Sequence, residues 1–109
     1  MGTIYLSGKI AGNTKYKEQF EEAEKFLEGK YTVINVAKVL ETLPTLDLIK
    51  YVQLDFELIK LCDAIFMIDG WQKSKYATAE LSYAKSIGKK VLYQKYFKEY
   101  RKEFKNDDN

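Results

Sequence analysis

Residues 61–92, LCDAIFMIDGWQKSKYATAELSYAKSIGKKVL, read as one complete strand, loop, helix and strand. Ala64 to Ile68 is an apolar run flanked by Asp63 and Asp69, and Gly70 opens a polar loop. Ala77 to Ile87 has helical spacing until Gly88 stops it, and Val91 to Tyr93 supplies a second apolar run almost at once. The crossover of such a βαβ unit is right-handed, so its strands lie parallel and the loop after the first strand sits at the carboxyl edge of the sheet. Small ligands bind at that edge. The loop directs Asp69, Trp71 and Ser74 towards it, and the helix that follows carries Glu80 near its first turns.

Outward from this unit the same alternation repeats. Thr3 to Leu6 reads as a first strand ended by Ser7-Gly8, and Gly8 and Gly12 in the loop to Asn13 permit a tight turn or close approach to a ligand. Thr14 is expected to cap a helix whose stripe is Tyr16, Phe20, Ala23 and Leu27, with Gly29 at its end and Tyr31 to Val36 as the second strand. Between Ala37 and Leu48 the signal is mixed and Pro44 interrupts it, which suggests a loop with one short helical turn. From Asp47 the pattern turns helical, with Tyr51, Leu54, Leu58, Leu61 and Cys62 as a stripe widened by Val52, Phe56 and Ile59. The tail from Lys95 has Tyr96, Tyr100 and either Phe97 or Phe104 at helical spacing, as a closing helix or a partner-facing one. The expected architecture is a single flavodoxin-like (Rossmann-like) α/β domain over residues 1–109, a three-layer sandwich with four or five parallel strands.

Composition narrows the function classes. With 46% apolar and 15% aromatic residues in 109 positions, one real core can form. Eighteen basic and sixteen acidic residues are interspersed to a net charge of +2, unlike the one-sided basic field of a nucleic-acid binder, so no nucleic-acid partner is expected. MGTIYLSG enters a strand directly and no stretch approaches a membrane span, so no membrane partner and a cytoplasmic location are expected. One cysteine and no histidine exclude an internal disulfide and a multi-cysteine zinc site, and no cofactor or metal is expected. Catalysis must therefore run on carboxylates, hydroxyls, lysines or the Cys62 thiol.

Two carboxylates break the pattern. Asp55 sits inside an apolar stripe, where burial costs several kcal/mol unless the group is paired or lines a pocket. Glu80 shares a helix face with Ala77, Tyr83 and Ala84, small enough as a set to pack closely on the sheet. Both helices flank the strand Ala64 to Ile68, so the two acids can converge above its carboxyl end. The ordinary alternative is that Glu80 favours the helix dipole and Asp55 pairs with Lys50 or Lys60, and ion pairs of that kind are commoner than active sites. Trp71 can stack on a flat ligand or simply cover the sheet edge, Asp69 stands at a strand end where acids often bind a ligand hydroxyl, and Cys62 reads as a small buried hydrophobe.

The combination IYLSG at 4–8, LDFELIKLCDAIFMI at 54–68 and GWQKSKYATAELSYAKSIGKKVLY at 70–93 resembles the nucleoside 2-deoxyribosyltransferase superfamily, in particular a small phage-associated branch, and is also similar to the 2′-deoxynucleoside 5′-phosphate N-hydrolases. The resemblance runs from Ile4 to Tyr93 and implies cleavage or transfer at the N-glycosidic bond of a nucleoside or nucleotide, with Glu80 as nucleophile, Asp55 acting on the base and Tyr5 positioning the glutamate. Substrate contacts are expected from Ser7, Gly8, Asp69, Trp71 and Ser74, and the resemblance implies a homo-oligomer in which a neighbouring subunit completes the site. Ser74, six residues before Glu80, stands where the hydrolases carry a phosphate-holding serine and the transferases an aspartate, which leans towards a monophosphate. A serine there also caps a helix. The branch usually shows glycine where this chain has Tyr76, a departure that favours the rival reading, a non-catalytic nucleotide-binding or phage–host interaction module.

Overall fold

The computed structural model describes residues 2–43 and 47–97. Four short strands carry the β-branched and aromatic runs: β1 (Thr3–Ser7), β2 (Thr32–Ile34), β3 (Ala64–Met67) and β4 (Lys90–Tyr93). They form one all-parallel sheet in the order β2-β1-β3-β4, with Tyr5 opposite Ile65 and Ser7 opposite Met67. β1 and β3 are buried along nearly their whole length, which is why they read as continuous apolar runs instead of alternating ones.

The helices are α1 (Tyr16–Leu27), α2 (Val36–Glu41), α3 (Leu48–Leu61) and α4 (Lys75–Ser86), with 3₁₀ turns at Trp71–Lys73 and Gln94–Tyr96. From β1 the chain moves outward to β2, then returns past β1 to β3. Right-handed crossovers in opposite directions place α1 against β1 and β2 on one face, and α3 and α4 together on the other. The carboxyl ends of β1 and β3 are thus the point where strand order reverses, the usual place for a ligand crevice in such a sheet. The flavodoxin-like α/β architecture is the one expected, with four strands.

The differences from expectation are local. The second strand stops at Ile34 because Asn35 takes the N-cap of a real helix, its Oδ1 accepting from the Ala37 amide at 3.1 Å while its Nδ2 donates to Glu24 Oε1 at 2.9 Å. What reads as a loop after Ala37 therefore begins as α2. Thr14 does not cap α1, which starts at Tyr16 after Lys15, and Asn13 organises the turn by accepting from the Lys15 amide. Ser74 caps α4 two residues earlier than the first apolar position suggests. Leu61 is 74% exposed, because the inward line of α3 runs through Asp55, Ile59 and Cys62, at steps of four and three, and rotates Leu61 outward. Pro44 and the tail beyond Phe97 lie outside the described residues, and what precedes them in the tail is a 3₁₀ turn. Phe97 packs edge-on to Phe26 at 5.6 Å and tilted against Phe66 at 5.9 Å, closing the α1 side of the sheet. Among the described residues no helix is long and apolar enough to cross a membrane.

Candidate active site

Strand periodicity sends Tyr5 and Ser7, two residues apart on β1, to the same face of the sheet, the face covered by α3 and α4. Both are completely buried. Helical periodicity then brings two acids over them: Asp55 on the inward line of α3, and Glu80 on the line of α4 that also buries Ala77 and Ala84. Ser7 Oγ donates to Glu80 Oε1 at 2.8 Å, a contact between residues 73 apart in the chain. Nothing in either local segment asks for it; the fold imposes it.

Asp55 and Glu80 form the floor of a cavity of about 280 Å³ between the N-terminal halves of α3 and α4 and the sheet margin, with the buried Tyr5 and Ser7 packed beneath them. One turn back from each acid, Tyr51 and Tyr76 line the walls, and Gly8 and Ile10 come in from the loop after β1. Val36 and Leu40 of α2 supply a third, apolar wall. A Cβ on Gly8 would come within 3.1 Å of Ile68 Cβ and 3.3 Å of the Phe20 ring, so this loop runs close to β3 because it has no side chain there.

The electrostatics follow from burial. Glu80 is held well above the usual carboxylate range, first by loss of solvent and then by the charge of Asp55, with the Ser7 hydrogen bond pulling the other way. Asp55 is also raised by burial. The two carboxyl groups are in hydrogen-bonding reach of each other, so they titrate as a pair. Burial and both acids push the Tyr5 phenol up, which keeps it protonated. The Tyr5 hydroxyl and Asp55 Oδ1 are buried without a hydrogen-bond partner among the described residues. Unsatisfied buried polar atoms are rare in folded proteins, and these two adjoin the cavity floor.

Of the residues singled out in the sequence, the fold brings Tyr5, Ser7, Gly8, Asp55, Ser74 and Glu80 to this one place. It does not bring Asp69 or Trp71 there. Asp69 is exposed, its backbone amide donating to Gln94 Oε1 at 2.8 Å, and the Trp71 ring leans on Tyr93 at 6.1 Å on the β4 side. Ser74 Oγ accepts from the Ala77 amide at 3.1 Å as the cap of α4. The α2 wall was missed, although an asparagine followed by Val36 and, four later, Leu40 is a cap-and-stripe signal that could have revealed it. Among the described residues no cluster of acids and cysteine could hold a metal ion. Cys62 lies buried at the far end of α3, where loss of solvent pushes its thiol up to about 11. The native protein should therefore resist alkylation at neutral pH and take up one equivalent of iodoacetamide only when unfolded, which mass spectrometry reads directly.

The four-stranded, all-parallel α/β fold is consistent with the nucleoside 2-deoxyribosyltransferase superfamily. A CMP N-glycosidase from Clostridium botulinum superposes with a TM-score of 0.61 and 25% identity, over 84% of this chain and 66% of that one. A 2-deoxyribosyltransferase from Leishmania mexicana superposes with a TM-score of 0.62 and 19% identity, over 85% of this chain and 63% of that one, a likeness of fold. This chain thus spans slightly under two thirds of the length of either. No curated protein sequence matches it. Residues 2–93 match the family described as a domain of unknown function, DUF4406, and the chain belongs to that family.

Proposed function

We propose that the protein cleaves or transfers at the N-glycosidic bond of a nucleoside or nucleotide, with Glu80 as nucleophile and Asp55 as the acid on the base. The observation that carries this is the pair of carboxyl groups, in hydrogen-bonding reach of each other and both raised by burial, at the floor of an apolar cavity. The similarity to a CMP N-glycosidase supports the reaction class.

The chemistry asks for such a pair. As the C1′–N bond breaks, positive charge builds on the sugar, and a carboxylate beside C1′ stabilises it and closes a glycosyl ester. The bond's electrons leave with the base, which takes the Asp55 proton. Water or a second base then attacks C1′, the ester bond returns its electrons to Glu80, and the proton of the incoming nucleophile goes to Asp55. Before substrate arrives, a proton on the pair favours Glu80, whose titration is raised further. Developing positive charge at C1′ stabilises ionised Glu80 and moves the proton to Asp55, where the leaving base needs it. The Ser7 hydrogen bond holds the glutamate in place, and Tyr5 stays a neutral phenol close to both acids.

Incubation with common deoxynucleosides and their 5′-monophosphates, followed by chromatography, tests the reading: free base should appear. Ligand binding without base release would instead favour the non-catalytic module, for which Tyr76 on the cavity wall is the supporting feature. Replacement of Ser7 should show in the pH profile. The hydroxyl lowers the titration of Glu80, so Ser7→Ala should move the acid limb of the rate profile to higher pH and cost about 1–2 kcal/mol of stability through the lost donor.

A further inference from the structure

We infer that the cavity selects an uncharged nucleoside and excludes the corresponding 5′-monophosphate; this rests on the glycosidic reading above and names its substrate class. None of the described residues lining the cavity is a lysine or arginine, whereas two are carboxylic acids. The two acids sit in a low-dielectric floor, where any negative charge on them repels another strongly. A phosphate three bonds beyond the sugar ring would have to settle near these acids with no basic side chain lining the cavity to offset it. Sites that hold a phosphate supply basic side chains or a bundle of free amides.

The lysines nearest in sequence do not fill this gap. Lys73 and Lys75 are exposed and neither lines the cavity, and the Lys75 ammonium lies 5.4 Å from the centre of the Tyr76 ring. Lys9 lies between two lining residues, Gly8 and Ile10, without lining the cavity itself. Ser74, the serine at the cap of α4, already accepts from the Ala77 amide, so its oxygen serves the helix and its proton is free for a ligand. Tyr76 occupies the wall beside it. At about 280 Å³ the cavity is at the small end of ligand sites, which run from roughly 300 to 1,000 Å³. Its walls are apolar on three sides, suited to the faces of a base and a deoxyribose more than to a dianion. The make-up of the lining thus argues against the monophosphate that Ser74, with Lys73 or Lys75 assisting, suggests from the sequence.

The test uses the wild-type protein. Each of the four common 2′-deoxynucleosides and its 5′-monophosphate is titrated into the protein, with binding read from the melting temperature and base release followed in the same samples by chromatography. At least one nucleoside should bind 10-fold or more tightly than its monophosphate. A monophosphate that binds as tightly as its nucleoside, or binding of neither, overturns the inference. Base release reports separately on the glycosidic reading: selective nucleoside binding without release keeps the inference and removes that reading, while release chiefly from monophosphates does the reverse.

Discussion

Glu80→Gln should lower base release by on the order of 10³-fold or more while leaving the protein folded and no less stable at neutral pH. The amide keeps the shape of the side chain and still offers Ser7 Oγ an acceptor, so the 2.8 Å contact can persist. It cannot form the ester at C1′, and it cannot carry the charge that offsets the developing sugar cation; a positioned acid or base alone is worth roughly 10²–10⁴-fold, and this residue combines electrostatic and covalent roles. The stability half of the prediction has a definite sign. Glu80 is raised in the folded state, so from about pH 4.3, the ordinary glutamate value, up to its folded value the native protein holds a proton that the unfolded chain has lost. Stability of the wild type must therefore fall as pH rises through that window, and the Gln variant should lose the Glu80 part of this decline and keep only that of Asp55. Thermal melts at pH 5 and pH 8 read it. A variant that retains most of the activity, or one that melts earlier than the wild type at pH 8, contradicts the role and the electrostatics respectively.

The parts of this molecule that were legible in its sequence are those where one segment carries its own reason. The central βαβ unit, the capped start of α3 at Asp47 and the stop at Gly88 all rest on local periodicity and turn chemistry, and the structure has them. The misfit of Asp55 and Glu80 was also local, because each is an acid on a face otherwise given to apolar residues. What no segment reveals is which partner satisfies a misfit. The contact of Ser7 with Glu80 needs strand parity on β1 and helix phase on α4 to agree across 73 residues. The lysine partners considered for Asp55 fail for the same reason: Lys60 turns outward to Glu57, at 3.1 Å, while Asp55 turns to the sheet. Asp69 and Trp71 lie in the right loop, but η-type turns at Trp71–Lys73 and Gln94–Tyr96 swing that part of it towards β4. A three-residue turn of this kind depends on long-range packing and leaves little trace in hydropathy.

Asp55→Asn should separate the acid from the nucleophile. With a natural base as leaving group, loss of the proton donor should reduce release by about 10²–10⁴-fold, the usual range for general acid catalysis. With a 2-deoxyriboside of p-nitrophenol, whose anion leaves without protonation, the same variant should lose little, whereas Glu80→Gln should lose its activity on both substrates. The pH dependence moves in a direction fixed by the pair. In the wild type, activity fails at low pH when both acids are protonated and at high pH when neither is, so the two limbs belong to the coupled pair. Asn removes the charge that, after burial, does most to raise Glu80, so Glu80 titrates lower and the acid limb on the activated substrate shifts down in pH. The basic limb, which records loss of the pair's last proton, should disappear with that substrate. Asp55 Oδ1 is buried and unpartnered in the free protein, and an amide there gains a donor or an acceptor depending on its orientation; melting temperature should change little compared with the loss in rate. If Asp55→Asn slows the activated substrate as severely as the natural one, the residue is positioning Glu80 or the sugar, and the proton on the departing base must come from elsewhere.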